Sequence, residues 1–66
     1  MPSSVIRNHR YDPNVRALDI VFTSGRRYRY LKVPPEVYSG FRAAASKGEF
    51  FNAHIRDHFD FERNPR

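Results

Sequence analysis

The chain is 66 residues long, has no cysteine, and carries a formal charge of +5, with ten of its twelve basic residues being arginine. One domain fits that length, disulfides and thiolate metal sites are excluded, and packing alone must hold a core that is marginal at this size. No apolar run approaches the ~20 residues that span a bilayer, and Met1-Pro2-Ser3-Ser4 lacks the layout of a signal peptide, so a cytoplasmic location is expected.

The first half reads as strands. Val5 to Tyr11 is a first strand of mixed pattern, in which Ile6 and Tyr11 both suit a core but differ in parity, so a bulge between them is expected. Asp12-Pro13-Asn14 is a turn. Val15 to Phe22 is the clearest strand, with Leu18, Ile20 and Phe22 on one face and Ala17, Asp19 and Val21 on the other. Thr23-Ser24-Gly25 supplies a short hairpin loop, with glycine available for positive φ. Arg26 to Leu31 is a third strand, in which Tyr28 and Tyr30 point one way and Arg27 and Arg29 the other.

The second half reads as helices. Val33-Pro34-Pro35-Glu36 ends the sheet and opens a helix, with Pro35 suited to the first turn. Val37, Phe41 and Ala44 or Ala45 form its apolar stripe, interrupted by Gly40, where a small residue suits close helix packing. Ser46-Lys47-Gly48-Glu49 is a capping box that starts a second helix near Lys47. Phe51, Ile55 and Phe59, spaced by four, define the buried face of that helix. Residues 61–66 are read as a tail after an ordered core of about 4–60. The predicted architecture is one α+β domain: a three-stranded antiparallel meander with two helices packed on one face. The ten aromatic residues are expected to supply much of the core.

The order of these segments resembles the KTSC domain family. Ser4-Val5-Ile6, Tyr11-Asp12, Leu18-Asp19-Ile20-Val21-Phe22, Gly25, Tyr28-Arg29-Tyr30, Val33-Pro34, Val37-Tyr38 and Ser46-Lys47-Gly48-Glu49-Phe50-Phe51-Asn52 followed by Ile55 carry the resemblance, from about Ser4 to Phe59. His9-Arg10 departs from it, since small residues are commoner before the tyrosine. The resemblance implies a bacterial or phage-type domain that also occurs at the C-terminus of some lysyl-tRNA synthetases. It implies an RNA-binding role and no catalytic residues.

The charge points the same way. Residues 1–32 hold seven basic against two acidic side chains, a net of +5, whereas residues 33–66 hold five of each. A nucleic acid, RNA rather than DNA, is the expected partner, with Arg7, Arg26, Arg27, Arg29 and Lys32 on its phosphates. Arg16 is a weaker addition. His9, Tyr28 and Tyr30 are candidates for stacking on unpaired bases, although Tyr28 and Tyr30 share a strand face with residues that need burial, and core roles are preferred for them. The alternative is a protein-interaction module that docks through an edge strand or through aromatics around Tyr38, Phe50 and Phe61. His54 and His58 have the i, i+4 spacing of metal ligands but lack a clear third ligand, so no metal site is assigned. No cofactor, small-molecule substrate or membrane partner is expected. The scattered serines and acids form no catalytic arrangement, and the domain is read as non-enzymatic.

Overall fold

The computed structural model describes residues 6–63. Val5 of the expected first strand and residues 64–66 of the expected tail lie outside that range. The elements are β1 (Ile6–Asp12), β2 (Ala17–Phe22), β3 (Arg27–Tyr30), α1 (Pro35–Ala43), α2 (Lys47–His54) and β4 (Phe61–Arg63). They form an antiparallel sheet of order β1-β2-β3-β4. The predicted meander and helix pair are present, and a fourth strand is added.

Local chemistry accounts for each turn. Asp12 Oδ1 accepts the Asn14 N–H at 2.9 Å, which closes the β1–β2 turn. Gly25 adopts φ 91° in the β2–β3 hairpin, where its N–H donates to the Phe22 carbonyl at 2.9 Å. Pro35 begins α1, a position that has no hydrogen-bond partner for an N–H. Ser46 Oγ accepts the Glu49 N–H at 3.3 Å and caps α2, as the capping box predicts.

The bulge in β1 falls between Ile6 and Asn8. It puts Ile6 and Tyr11 on the same face despite their odd spacing. That face holds Leu18, Ile20, Phe22 and Tyr30, which pack with Val33, Phe41, Phe51 and Ile55 in the core cluster. Val33 is fully buried and is clamped from two sides. Its N–H donates to the Arg16 carbonyl at 2.8 Å, and its own carbonyl accepts the Tyr11 hydroxyl at 2.7 Å.

Two expectations are corrected. The second helix ends at His54, not near Phe59. Ile55 closes it with φ −119°, and the Ile55 and Arg56 N–H groups both donate to the Phe51 carbonyl. Ile55 and Phe59 still pack on the core, Phe59 from beyond the helix. The early stop lets the chain turn back to the open edge of β3, where the Leu31 N–H donates to the Asp60 carbonyl at 2.8 Å. The expected tail therefore contributes β4, which pairs Phe61 with Tyr30 and Arg63 with Tyr28.

Gly40 has the packing role anticipated for it. A Cβ there would lie 2.9 Å from Phe50 Cζ. An alanine at a helix interior ordinarily gains about 1 kcal/mol over glycine. Gly40→Ala is expected to show none of that gain in urea denaturation, whereas in a Phe50→Leu background, where the ring edge is gone, the same change should stabilise by about 0.5–1 kcal/mol. Equal effects in the two backgrounds would remove Phe50 as the reason for glycine.

Candidate nucleic-acid interface

Strand alternation divides the sheet into a covered and an open face. The core residues of β2 occupy the covered face, so Asp19 and Val21 occupy the open one. The pairing then aligns Arg10, Asp19, Arg29 and Glu62 in one row across all four strands. Asn8, Val21 and Arg27 form the adjacent row. Neighbouring strands lie about 4.8 Å apart, so the first row is a ladder of alternating charge.

Its central rung is a formed ion pair, in which Arg29 Nε donates to Asp19 Oδ1 at 2.8 Å. That hydrogen bond, then the charge of Asp19, and more weakly Glu62 and Asp12, hold the Arg29 guanidinium pKa above its ordinary value. Two shallow depressions flank the ladder and share Arg10, Asp19 and Arg29. One, of about 430 Å³, is also bordered by Asn8, Val21 and Arg27. The other, of about 530 Å³, is also bordered by Asp12, Asn14 and Val15. Together they make a trough on the open face.

The predicted cations do not converge on one surface. Arg27 and Arg29 are on the open face. Arg7 is exposed at the bulge. Arg26 precedes β3 in the hairpin and borders a cleft on the covered side. Lys32 takes a left-handed backbone, φ 57°, beside a depression that also holds Asp57 and Asp60. Arg16, the weaker addition, takes φ 54° in the β1–β2 turn. Arg10 is the open-face cation that the sequence reading omits. The signal for it was present: once Tyr11 points to the core, its neighbour Arg10 must point away. Among the described residues the open face carries Arg10, Arg27 and Arg29 against Asp12, Asp19 and Glu62, so its charges balance.

The stacking candidates lie on the covered face. Tyr30 is 2% exposed, and burial, the main cause, pushes its phenol pKa up to about 12. Tyr28 is half-buried against the core. His9 is also half-buried. Its ring meets Phe41 edge-on at 5.1 Å and Tyr38 at 5.8 Å, and the Tyr38 hydroxyl lies 3.3 Å from His9 Nδ1. The first-strand departure at His9-Arg10 thus places an imidazole under α1 and an arginine on the open face.

Of the three aromatics considered for partner docking, Tyr38 stacks on Tyr11 at 4.6 Å and Phe50 packs on Phe41 and His54. Phe61 remains 43% exposed. His54 and His58 do not share a helical face, because α2 ends between them. His58 Nε2 lies 3.0 Å from the Ala53 carbonyl. Among the described residues, no group of three or more His, Cys, Asp or Glu could hold a metal ion, and no helix is long and apolar enough to cross a membrane.

The fold and this surface define a small α+β domain with one helix-covered and one open sheet face. The KTSC domain model matches residues 2–59, and the chain belongs to that family. A crystal structure of a KTSC domain protein from Yersinia pestis superposes with a TM-score of 0.88 at 38% identity, covering 98% of this chain and 92% of that one. A lysine–tRNA ligase of Nostoc punctiforme is 43% identical over 60 residues, which are 91% of this chain but 11% of the ligase. A protein of Tsukamurella paurometabola is 42% identical over 57 residues, 86% of this chain and 85% of that protein. The chain thus matches small proteins of similar size as well as about a ninth of the ligase.

His9 makes a pH dependence testable. Burial first, then the charges of Lys47 and Arg42, lower its pKa below the usual 6.5. The unfolded chain therefore binds this proton more readily than the folded one. The stabilising contribution is complete above about pH 6.5 and is lost as pH falls from there toward the lowered folded-state value. The urea midpoint should drop between pH 7.5 and pH 5 in the wild type, and drop less in His9→Gln. Parallel pH profiles for the two proteins would contradict this role.

Proposed function

We propose that this chain is a non-enzymatic RNA-binding domain that contacts phosphates through the open face of its sheet. The observation that carries the proposal is the position of Arg10, Arg27 and Arg29. They come from two different strands, border one trough, and lie on the face that the described helices leave uncovered. Guanidinium groups suit phosphate because their forked donors match its oxygens. Asp19 engages Arg29 through Nε, which leaves the terminal nitrogens of that guanidinium outside the bond. Asp19 orients Arg29, and the acids on the face temper the attraction of its arginines, so binding is modest. Arg7 at the bulge, Arg26 and Lys32 serve an RNA that wraps beyond this surface. The presence of similar sequence within lysine–tRNA ligases supports a tRNA or single-stranded RNA as the class of partner.

The test is fluorescence anisotropy with tRNA and with a single-stranded RNA over a salt series, comparing wild type with Arg27→Gln/Arg29→Gln. Glutamine avoids placing a new carboxylate opposite Asp19. For a single strand, each phosphate contact contributes about −0.7 to the slope of log affinity against log salt. The variant should flatten that slope by about 1.4 and bind at least ~10-fold more weakly at low salt. No binding by either protein, or equal slopes and affinities, would end the proposal.

A second reading is favoured by Phe61, a large apolar side chain exposed on β4 at the edge of the sheet. An exposed sheet edge accepts a partner strand by β-addition. A stoichiometric protein recovered from nuclease-treated lysate by the wild type, and lost with Phe61→Glu, is the outcome expected of that reading.

A further inference from the structure

The excess positive charge that the open face lacks is partly found at the opposite side of the hairpin. A cleft of about 270 Å³ lies between the β2–β3 hairpin and the end of α2. Its floor is aromatic: Phe22, Tyr28, Tyr30 and Phe51, interlocked edge-to-face with Phe22–Tyr28 and Phe22–Phe51 centroids at 5.5 Å and Tyr30–Phe51 at 5.3 Å. Its rim carries Arg26 from the hairpin and Arg56 from the turn after α2, both exposed. No carboxylate among the described residues lines it. This is the reverse of the trough, where Asp12 and Asp19 meet the arginines.

We propose that this cleft binds one unpaired nucleotide of a nucleic-acid strand, its base against the exposed part of Tyr28 and its phosphate between Arg26 and Arg56. The floor suits a flat apolar ligand, since Tyr30 and Phe51 are each 2% exposed and fill the depth, while Tyr28 is only half-buried. The rim requires an anion. A guanidinium pair on a rim that no carboxylate among the described residues lines suits phosphate, and base stacking on an aromatic ring is tolerant of base identity. Arg56 is steadied for the role, its Nη1 donating to Asn52 Oδ1 at 3.1 Å. Arg63, which pairs with Tyr28 on β4, adds a third cation on the same face.

A strand suits the cleft better than an isolated aromatic phosphate because of what lies beside it. Arg26 and Arg27 are consecutive, yet Arg26 borders the cleft and Arg27 borders the trough. The hairpin end therefore joins the two surfaces by adjacent guanidiniums, as a polyanion passing around it would need. The cleft proposal does not depend on the trough binding RNA, and the variants separate the two.

The experiment is an NMR titration of ¹⁵N-labelled protein with adenosine and uridine monophosphates, inorganic phosphate, phosphotyrosine and a short single-stranded RNA. The nucleotides should shift the amides of Ser24, Tyr28, Phe51 and Arg56. Their affinity should fall at least fivefold in Arg26→Gln/Arg56→Gln and stay unchanged in Arg27→Gln/Arg29→Gln. The short RNA should bind at least tenfold more tightly than either mononucleotide. Arg26, Arg27 and Arg56 are exposed and Arg29 is half-buried, and an unchanged spectrum away from the substitutions verifies the fold. Absence of nucleotide shifts, shifts confined to the Arg10, Arg27 and Arg29 face, or indifference to Arg26→Gln/Arg56→Gln would overturn the proposal. So would phosphotyrosine binding without nucleotide binding, or an RNA no tighter than a mononucleotide.

Discussion

Leu18, Asp19 and Ile20 in the middle of β2 govern both faces of the molecule. Leu18 and Ile20 are fully buried beneath the helices, and the pleat then requires Asp19 to face the other way. A slip of one residue would send an aspartate into the aromatic core and two large aliphatic side chains into solvent, so the register is strongly determined. The same register pairs Asp19 with Arg10 on one side and with Arg29 on the other. Core packing and the charge ladder are thus two outcomes of one alignment, and neither can shift without the other.

That coupling changes the meaning of the basic composition. Net charge describes the field of the whole chain, not the character of one surface. Here the open face is balanced by its own acids, whereas Arg26 and Arg56 border a cleft that no carboxylate among the described residues lines. Tyr28-Arg29-Tyr30 divides accordingly. The tyrosines join the core and the floor of the cleft, and Arg29 joins a ladder in which Asp19 already holds one edge of its guanidinium. An RNA on the open face would meet an arginine held by a carboxylate, whereas one at the hairpin end would meet Arg26 beside aromatic rings.

The edges of the sheet show where local pattern is insufficient. Phe61-Glu62-Arg63 is too short to display an alternation, and nothing within those three residues requires a strand. The requirement comes from β3, whose outer hydrogen-bonding groups are left open by the meander and are met by a returning segment. The same need explains the length of α2. Phe51, Ile55 and Phe59 have helical spacing, but a helix running to Phe59 would carry the chain away from β3. The turn after His54 keeps Ile55 and Phe59 against the core and still delivers Asp60 and Phe61 to the sheet edge.

The sequence by itself determined the meander, the hairpin glycine, the capped second helix, the β1 bulge and the side of the sheet that each β2 and β3 residue occupies. These are consequences of period and of turn chemistry over a few neighbouring residues. Arg10 was legible too, once the bulge was taken together with the inward tyrosine. Only the tertiary structure decided what lies opposite each arginine, because cross-strand partners such as Asp19 and Glu62 are 10 and 33 residues from Arg29. Only it placed His9 under α1, ended α2 at His54, and brought Arg26 and Arg56 to one aromatic cleft from separate elements. Such juxtapositions depend on long-range register and helix docking, which a local pattern of side chains does not encode.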